Sequence, residues 1–193
     1  MSLTKSDRKF LFISLRYFLI LILSLGNLAI FYKIFTPLTI NFSVYFLSMI
    51  DKGTVLLGNI ILFKTATIMI VPACIAGSAY FLLTILSLSV SEISITKRLG
   101  VLLFTLASFF TLNVARIVLF SNITNITLFN MIHLIGWYFL SIGFVILIWF
   151  SAVKIFRLKT YPIYTDFKFI FSKTIFNKKL TKKTKNFKRR KKN

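Results

Sequence analysis

The sequence predicts an all-α polytopic membrane protein with about four transmembrane helices and a short extracytoplasmic segment of extended structure before the second span. Three observations carry that prediction. Hydrophobic residues make up 57% of the 193 positions and charged residues only 15%, where a soluble domain runs at about 45–50% and about 25%. Such a surplus of apolar surface needs lipid rather than a larger core. The apolar residues also fall into runs long enough to cross a hydrocarbon layer of about 30 Å. Finally, the net charge of +21 is polarised, with 15 of the 25 Lys and Arg in 154–193 and Asp166 the one acid there.

The first nine residues are polar and basic, with Lys5, Arg8 and Lys9. Residues 10–31 are apolar apart from Arg16, which can snorkel to the headgroups, and are expected to form an uncleaved first span. The competing reading is a signal peptide, but no clear small-x-small cleavage site follows. Thr36-Pro37 interrupts the pattern. The moderately apolar stretch 38–50 is short for a span and predicts an interfacial helix, closed by Asp51-Lys52-Gly53. Residues 55–71 are rich in β-branched residues and broken by Gly58-Asn59 and Lys64, which predicts short strands or irregular extended structure outside the membrane.

Pro72 ends that segment. Residues 74–91 carry no charge and predict the second span; 92–98 is a polar loop with Lys97 and Arg98; 99–120 is the third span, with Arg116 inside it. The stretch 121–127 is polar and uncharged. The fourth span is expected over 128–153, with His133 near its start and Trp137, Tyr138 and Trp149 toward its ends, as interfacial aromatics often lie. Together, 1–153 is the membrane domain and 154–193 a basic tail, partly disordered. Within the tail, 161–176 reads as an amphipathic surface segment and 178–192 as too charged to fold alone.

Four spans place 1–9, 92–98 and 154–193 on one side. By the positive-inside rule both termini are then cytoplasmic, in a multi-pass protein of the cell membrane. Anionic lipid at the basic tail is the expected contact there; a topology anchor and a ribosomal RNA contact are the other readings. Asn41-Phe42-Ser43, Asn122-Ile123-Thr124 and Asn125-Ile126-Thr127 match the N-glycosylation pattern on the outer side, the last two very close to the membrane.

That orientation gathers three reactive residues at one depth. Cys74 sits at the outer start of the second span, Arg116 five residues before Ser121, and His133 five residues after Leu128. Five residues of helix rise about 7 Å. A thiol attacks only as thiolate, and a helix N-terminus favours the anion. Arg116 could stabilise that thiolate or an oxyanion, and His133 could take the thiol proton and return it to a leaving amine. The set fits acyl transfer through a thioester at an extracytoplasmic active site. There is one cysteine, so no intramolecular disulfide, and no metal cluster, phosphate loop or nucleotide fingerprint; no cofactor and no nucleic acid is required.

Val71-Pro72-Ala73-Cys74-Ile75-Ala76-Gly77-Ser78, then Asn113-Val114-Ala115-Arg116-Ile117, then Phe129-Asn130-Met131-Ile132-His133 resemble the exosortase/archaeosortase family of membrane transpeptidases. The order Cys, Arg after Asn-x-x, then His is similar to the family pattern, whose third position is His or Arg, and extended structure before the Cys fits it. The likeness covers roughly 50–153. It implies cleavage of a C-terminal sorting signal on exported proteins at the outer face and transfer to an acceptor, with membrane lipid the proposed one. It also implies Cys74 as nucleophile, Arg116 as electrostatic stabiliser and His133 as base. Many bacterial members have Ser or Thr and then Gly after the Cys, where this chain has Ile75-Ala76-Gly77, which points to a short archaeal-type member. The reading from another class is a non-catalytic assembly factor or scaffold, with Cys74 as packing. A small transporter using Arg116 as an anion site is a third.

Overall fold

The computed structural model describes residues 5–26, 28–64, 66–90, 93–123, 127, 131–132 and 141–158. They form six helices and one small sheet in the order α1 (Lys5–Leu25), α2 (Ala29–Ile50), β1 (Val55–Leu57), β2 (Ile60–Phe63), β3 (Ala66–Met69), α3 (Pro72–Ile75), α4 (Gly77–Ser89), α5 (Ile95–Phe120) and α6 (Ser141–Ile155). Among the described residues, three stretches are long and apolar enough to cross a membrane: Ala29–Ile50, Pro72–Ser89 and Ile95–Phe120. Leu11–Leu25 and Ser141–Ile155 are shorter apolar helices. This is a membrane protein, and its lipid-facing surface is dense in large apolar side chains such as Phe12, Leu25, Leu103 and Phe150.

The helices Pro72–Ser89 and Ile95–Phe120 fall where the second and third spans were expected, but the beginning of the chain is partitioned differently. The expected span over 10–31 is two helices. α1 stops at Leu25 and α2 starts at Ala29, with Leu28 in the left-handed region at φ 60°, and Phe31 belongs to α2. The expected interfacial helix over 38–50 is instead the second half of α2, which runs through Pro37 without ending. Proline in an apolar helix is tolerated where neighbouring helices support the freed backbone groups, so Thr36-Pro37 is a poor boundary here. Lys97 and Arg98 are not in a loop either. Ser94 accepts a hydrogen bond from the Lys97 N–H at 3.3 Å and caps α5, so the helix begins four residues before 99. Asn41-Phe42-Ser43 lies inside α2 with Ser43 fully buried, which removes it as a glycosylation acceptor. Of the fourth span, 141–155 is helical, while His133, Trp137 and Tyr138 lie outside the described residues. So does the tail from 159 onward.

Tyr80 anchors the helical core. Its ring is fully buried, stacked on Phe35 at 3.7 Å between centroids and met edge-on by Phe109 at 4.8 Å. Phe31 and Phe81 pack beside them. One end of this bundle is defined by Arg16, Val90 and Arg98, which meet through hydrogen bonds. The other end is defined by the sheet: the Lys64 ammonium donates to Asn122 just past α5, and the Asp51 carboxylate accepts the Lys64 N–H at the close of α2. Between them, α1 and α2 therefore run from one end of the bundle to the other.

The extended segment expected over 55–71 is a three-stranded antiparallel sheet in the order β1-β2-β3. Gly58, at φ 63°, makes the tight turn from β1 to β2, and Lys64 at φ 51° serves the turn from β2 to β3. Ile61 and Phe63 alternate onto the buried face and join the core.

Candidate active site

Cys74 sits in the single turn α3, where Pro72 at the first helical position fixes φ and gives up no needed N–H. The Cys74 N–H donates to the Val71 carbonyl at 2.8 Å. One turn later the helix breaks at Ala76, a left-handed residue at φ 56°. The break separates α3 from α4 and withdraws the main-chain donor that a continuous helix would bring to the Cys74 carbonyl. Gly77 makes the break possible to pack. A Cβ there would come 2.8 Å from Cζ of Tyr32, whose ring lies directly on the junction.

Side chains from α5 take the place of the missing donor. Asn113 is almost fully buried and donates from Nδ2 to the Cys74 carbonyl at 2.9 Å. Arg116, one turn further along the same face, reaches that carbonyl from Nη2 at 3.5 Å and donates from Nη1 to Ser141 Oγ at 3.2 Å. The guanidinium thus joins α3, α5 and the start of α6. It is within electrostatic range of the Cys74 side chain, which is half-buried. Only 8% of Arg116 is exposed. Its two hydrogen-bond acceptors are neutral. Asp51, the one acid whose side chain is described, is held elsewhere by the Gly53 and Lys64 N–H groups.

Two of the three residues expected to act together are therefore adjacent: Cys74 and Arg116. His133 lies outside the described residues. The helix whose N-terminus was expected to favour the Cys74 thiolate is one turn long, so its dipole contributes little and the cation falls to Arg116. Asn113 stands in the Asn-x-x-Arg stretch of the family likeness without a role of its own, a polar amide one helical turn from Arg116 in an apolar span; Ser141 has no comparable signal. Among the described residues no group of His, Cys, Asp or Glu could hold a metal ion.

No protein-family model, curated protein or solved structure matches the chain.

Proposed function

We propose that this chain is a membrane-embedded cysteine transpeptidase of the exosortase/archaeosortase type, with Cys74 as nucleophile and Arg116 as its electrostatic partner. The observation that supports the reading is a buried cation with no counter-charge among the described residues, bonded to the carbonyl of the residue that carries the chain's sole thiol. Burying a guanidinium in a bilayer costs at least about 2.5–3.5 kcal/mol at mid-depth, and a neutral carbonyl and hydroxyl repay that poorly. An anion arriving at this point would repay it well. Cys74 supplies one as thiolate, and a tetrahedral oxyanion on an attacked carbonyl supplies another.

The step balances with residues of this chain. The Cys74 thiol gives its proton to a base, the role assigned to His133, and its sulfur bonds to the carbonyl carbon of the substrate peptide. Arg116 donates to the oxygen as it becomes negative. The C–N bond then breaks, the proton passes to the leaving amine, and a thioester remains. A hydroxyl or amine on an acceptor, with lipid the favoured source, releases the thiol again. In this reading the end of the bundle with Arg16 and Arg98 is cytoplasmic. The sheet and the start of α3 face the exterior, where exported proteins carrying a C-terminal sorting signal present it.

The test is processing in cells. The probe is a host exported protein whose C-terminal apolar helix is removed only when this chain is expressed. Cys74→Ala is expected to abolish that removal while the protein still accumulates in the membrane. Unchanged processing by Cys74→Ala would rule out the enzyme reading in favour of the scaffold.

A further inference from the structure

We propose that the outer edge of β3 binds the substrate polypeptide as a fourth strand, taking the extended segment just before the peptide bond that Cys74 attacks. This rests on the transpeptidase reading and adds where the substrate is held and in what conformation.

The register of the sheet carries the argument. Phe63 pairs with Ala66, Leu62 with Thr67, Ile61 with Ile68 and Ile60 with Met69. In an antiparallel ladder, opposed residues alternate between pairs that exchange hydrogen bonds and pairs that do not. Phe63 and Ala66 close a two-residue connection, so they exchange hydrogen bonds. Ile61 and Ile68 therefore do so too, and beyond them the Ile70 N–H donates to the Asn59 carbonyl at 2.9 Å. Thr67 and Met69 are the non-bonded positions. Their N–H and C=O groups point away from β2, to the free side of the sheet. Among the described residues no backbone hydrogen bond takes them up.

An open edge is a template for another strand. What singles out this one is where it leads. β3 ends at Met69, and five residues later the same chain places Cys74. Thr67, Met69, Val71, Pro72 and Ala73 are exposed, an accessible track to the half-buried thiol. No charged residue lies in 65–76, so the track suits an uncharged extended peptide. The opposite edge, β1, runs back toward Asp51 and lies two strands away, about 10 Å. A peptide on β3 would run in the same direction as the strand. Its carbonyl end would arrive at Cys74 and the rest would continue toward the apolar body of the bundle, where a substrate helix belongs.

The experiment uses the full chain in membranes with the processed exported protein as probe. Benzoylphenylalanine placed at Thr67 in the Cys74→Ala background should photo-crosslink to substrate residues just before the cleaved bond, and the same probe at Val55 on β1 should not. Met69→Pro removes an edge N–H without touching the β2 ladder and should lower kcat/KM about fivefold, mostly through KM, as loss of one hydrogen bond does. Leu56→Pro on β1 should leave kcat/KM unchanged. Absence of the Thr67 crosslink, or crosslinking at Val55 instead, overturns the β3 site while abolished processing in Cys74→Ala leaves the transpeptidase standing. Normal processing by Cys74→Ala overturns both.

Discussion

Arginine meets the backbone at both ends of α4, and the two meetings obey opposite logic. At the C-terminal end, Arg98 donates to the Leu88 carbonyl at 3.2 Å and the Val90 carbonyl at 2.7 Å, and Arg16 reaches the Val90 carbonyl at 3.3 Å. Those are the orphan acceptors of a helix end, at the negative pole of its dipole, and a cation there is where elementary electrostatics puts it. At the N-terminal end, Arg116 stands beside the break that starts α4, against the positive pole. Its acceptors there, the Cys74 carbonyl and Ser141, are neutral. A cation at the C-terminal end is explained by structure alone. One at the N-terminal end is explained, in the proposed function, by an anion that the site receives.

Substitutions at the two ends separate these accounts. Arg116→Lys keeps the charge but loses the planar fork that spans α3 and α6. It is expected to lower substrate processing about 10²–10³-fold, the usual effect of losing an oxyanion donor, as followed by pulse-chase of the exported probe. Asn113→Ala removes the 2.9 Å bond that holds the Cys74 carbonyl. It should cost about 1–3 kcal/mol in thermal or denaturant unfolding in detergent, because the buried acceptor is left less well served. Processing should fall with it, since Cys74 is no longer fixed. Gly77→Ala drives a methyl into the Tyr32 ring and should cost about 1–3 kcal/mol by the same assay. At the other end, Arg98→Met should cost only about 1 kcal/mol, because Arg16 still serves Val90, and should leave processing unchanged. Equal losses of processing from Arg116→Lys and Arg98→Met would erase the distinction.

Much of this was legible in the sequence. Apolar runs at 74–91 and 99–120 marked α4 and most of α5, because lipid leaves the backbone few alternatives. The β-branched segment ending at Val71 gave the strands, with Gly58-Asn59 marking the first turn. The start of the chain was not legible. Pro37 reads as a boundary in water and is carried inside α2 here, whereas the break before α2 is marked by a lone Gly26 in an apolar run that reads as continuous. Ala76 is the same case: an alanine in the left-handed region is set by packing around Tyr32 and Gly77, which no local pattern records. The pairing of Cys74 with Arg116 followed from counting depth along two spans, and the polar shell around it did not. Asn113 and Ser141 acquire their roles only when three elements meet.

The central claim is that Cys74 becomes acylated beside Arg116. The most direct measurement is capture of that adduct from membranes co-expressing the exported probe, by denaturing gel and intact mass, before and after neutral hydroxylamine. The account predicts a hydroxylamine-sensitive adduct that joins the chain to the N-terminal part of the probe, is lost in Cys74→Ala, and is strongly reduced in Arg116→Lys. Processing that continues in Cys74→Ala with no thioester at any stage would contradict it.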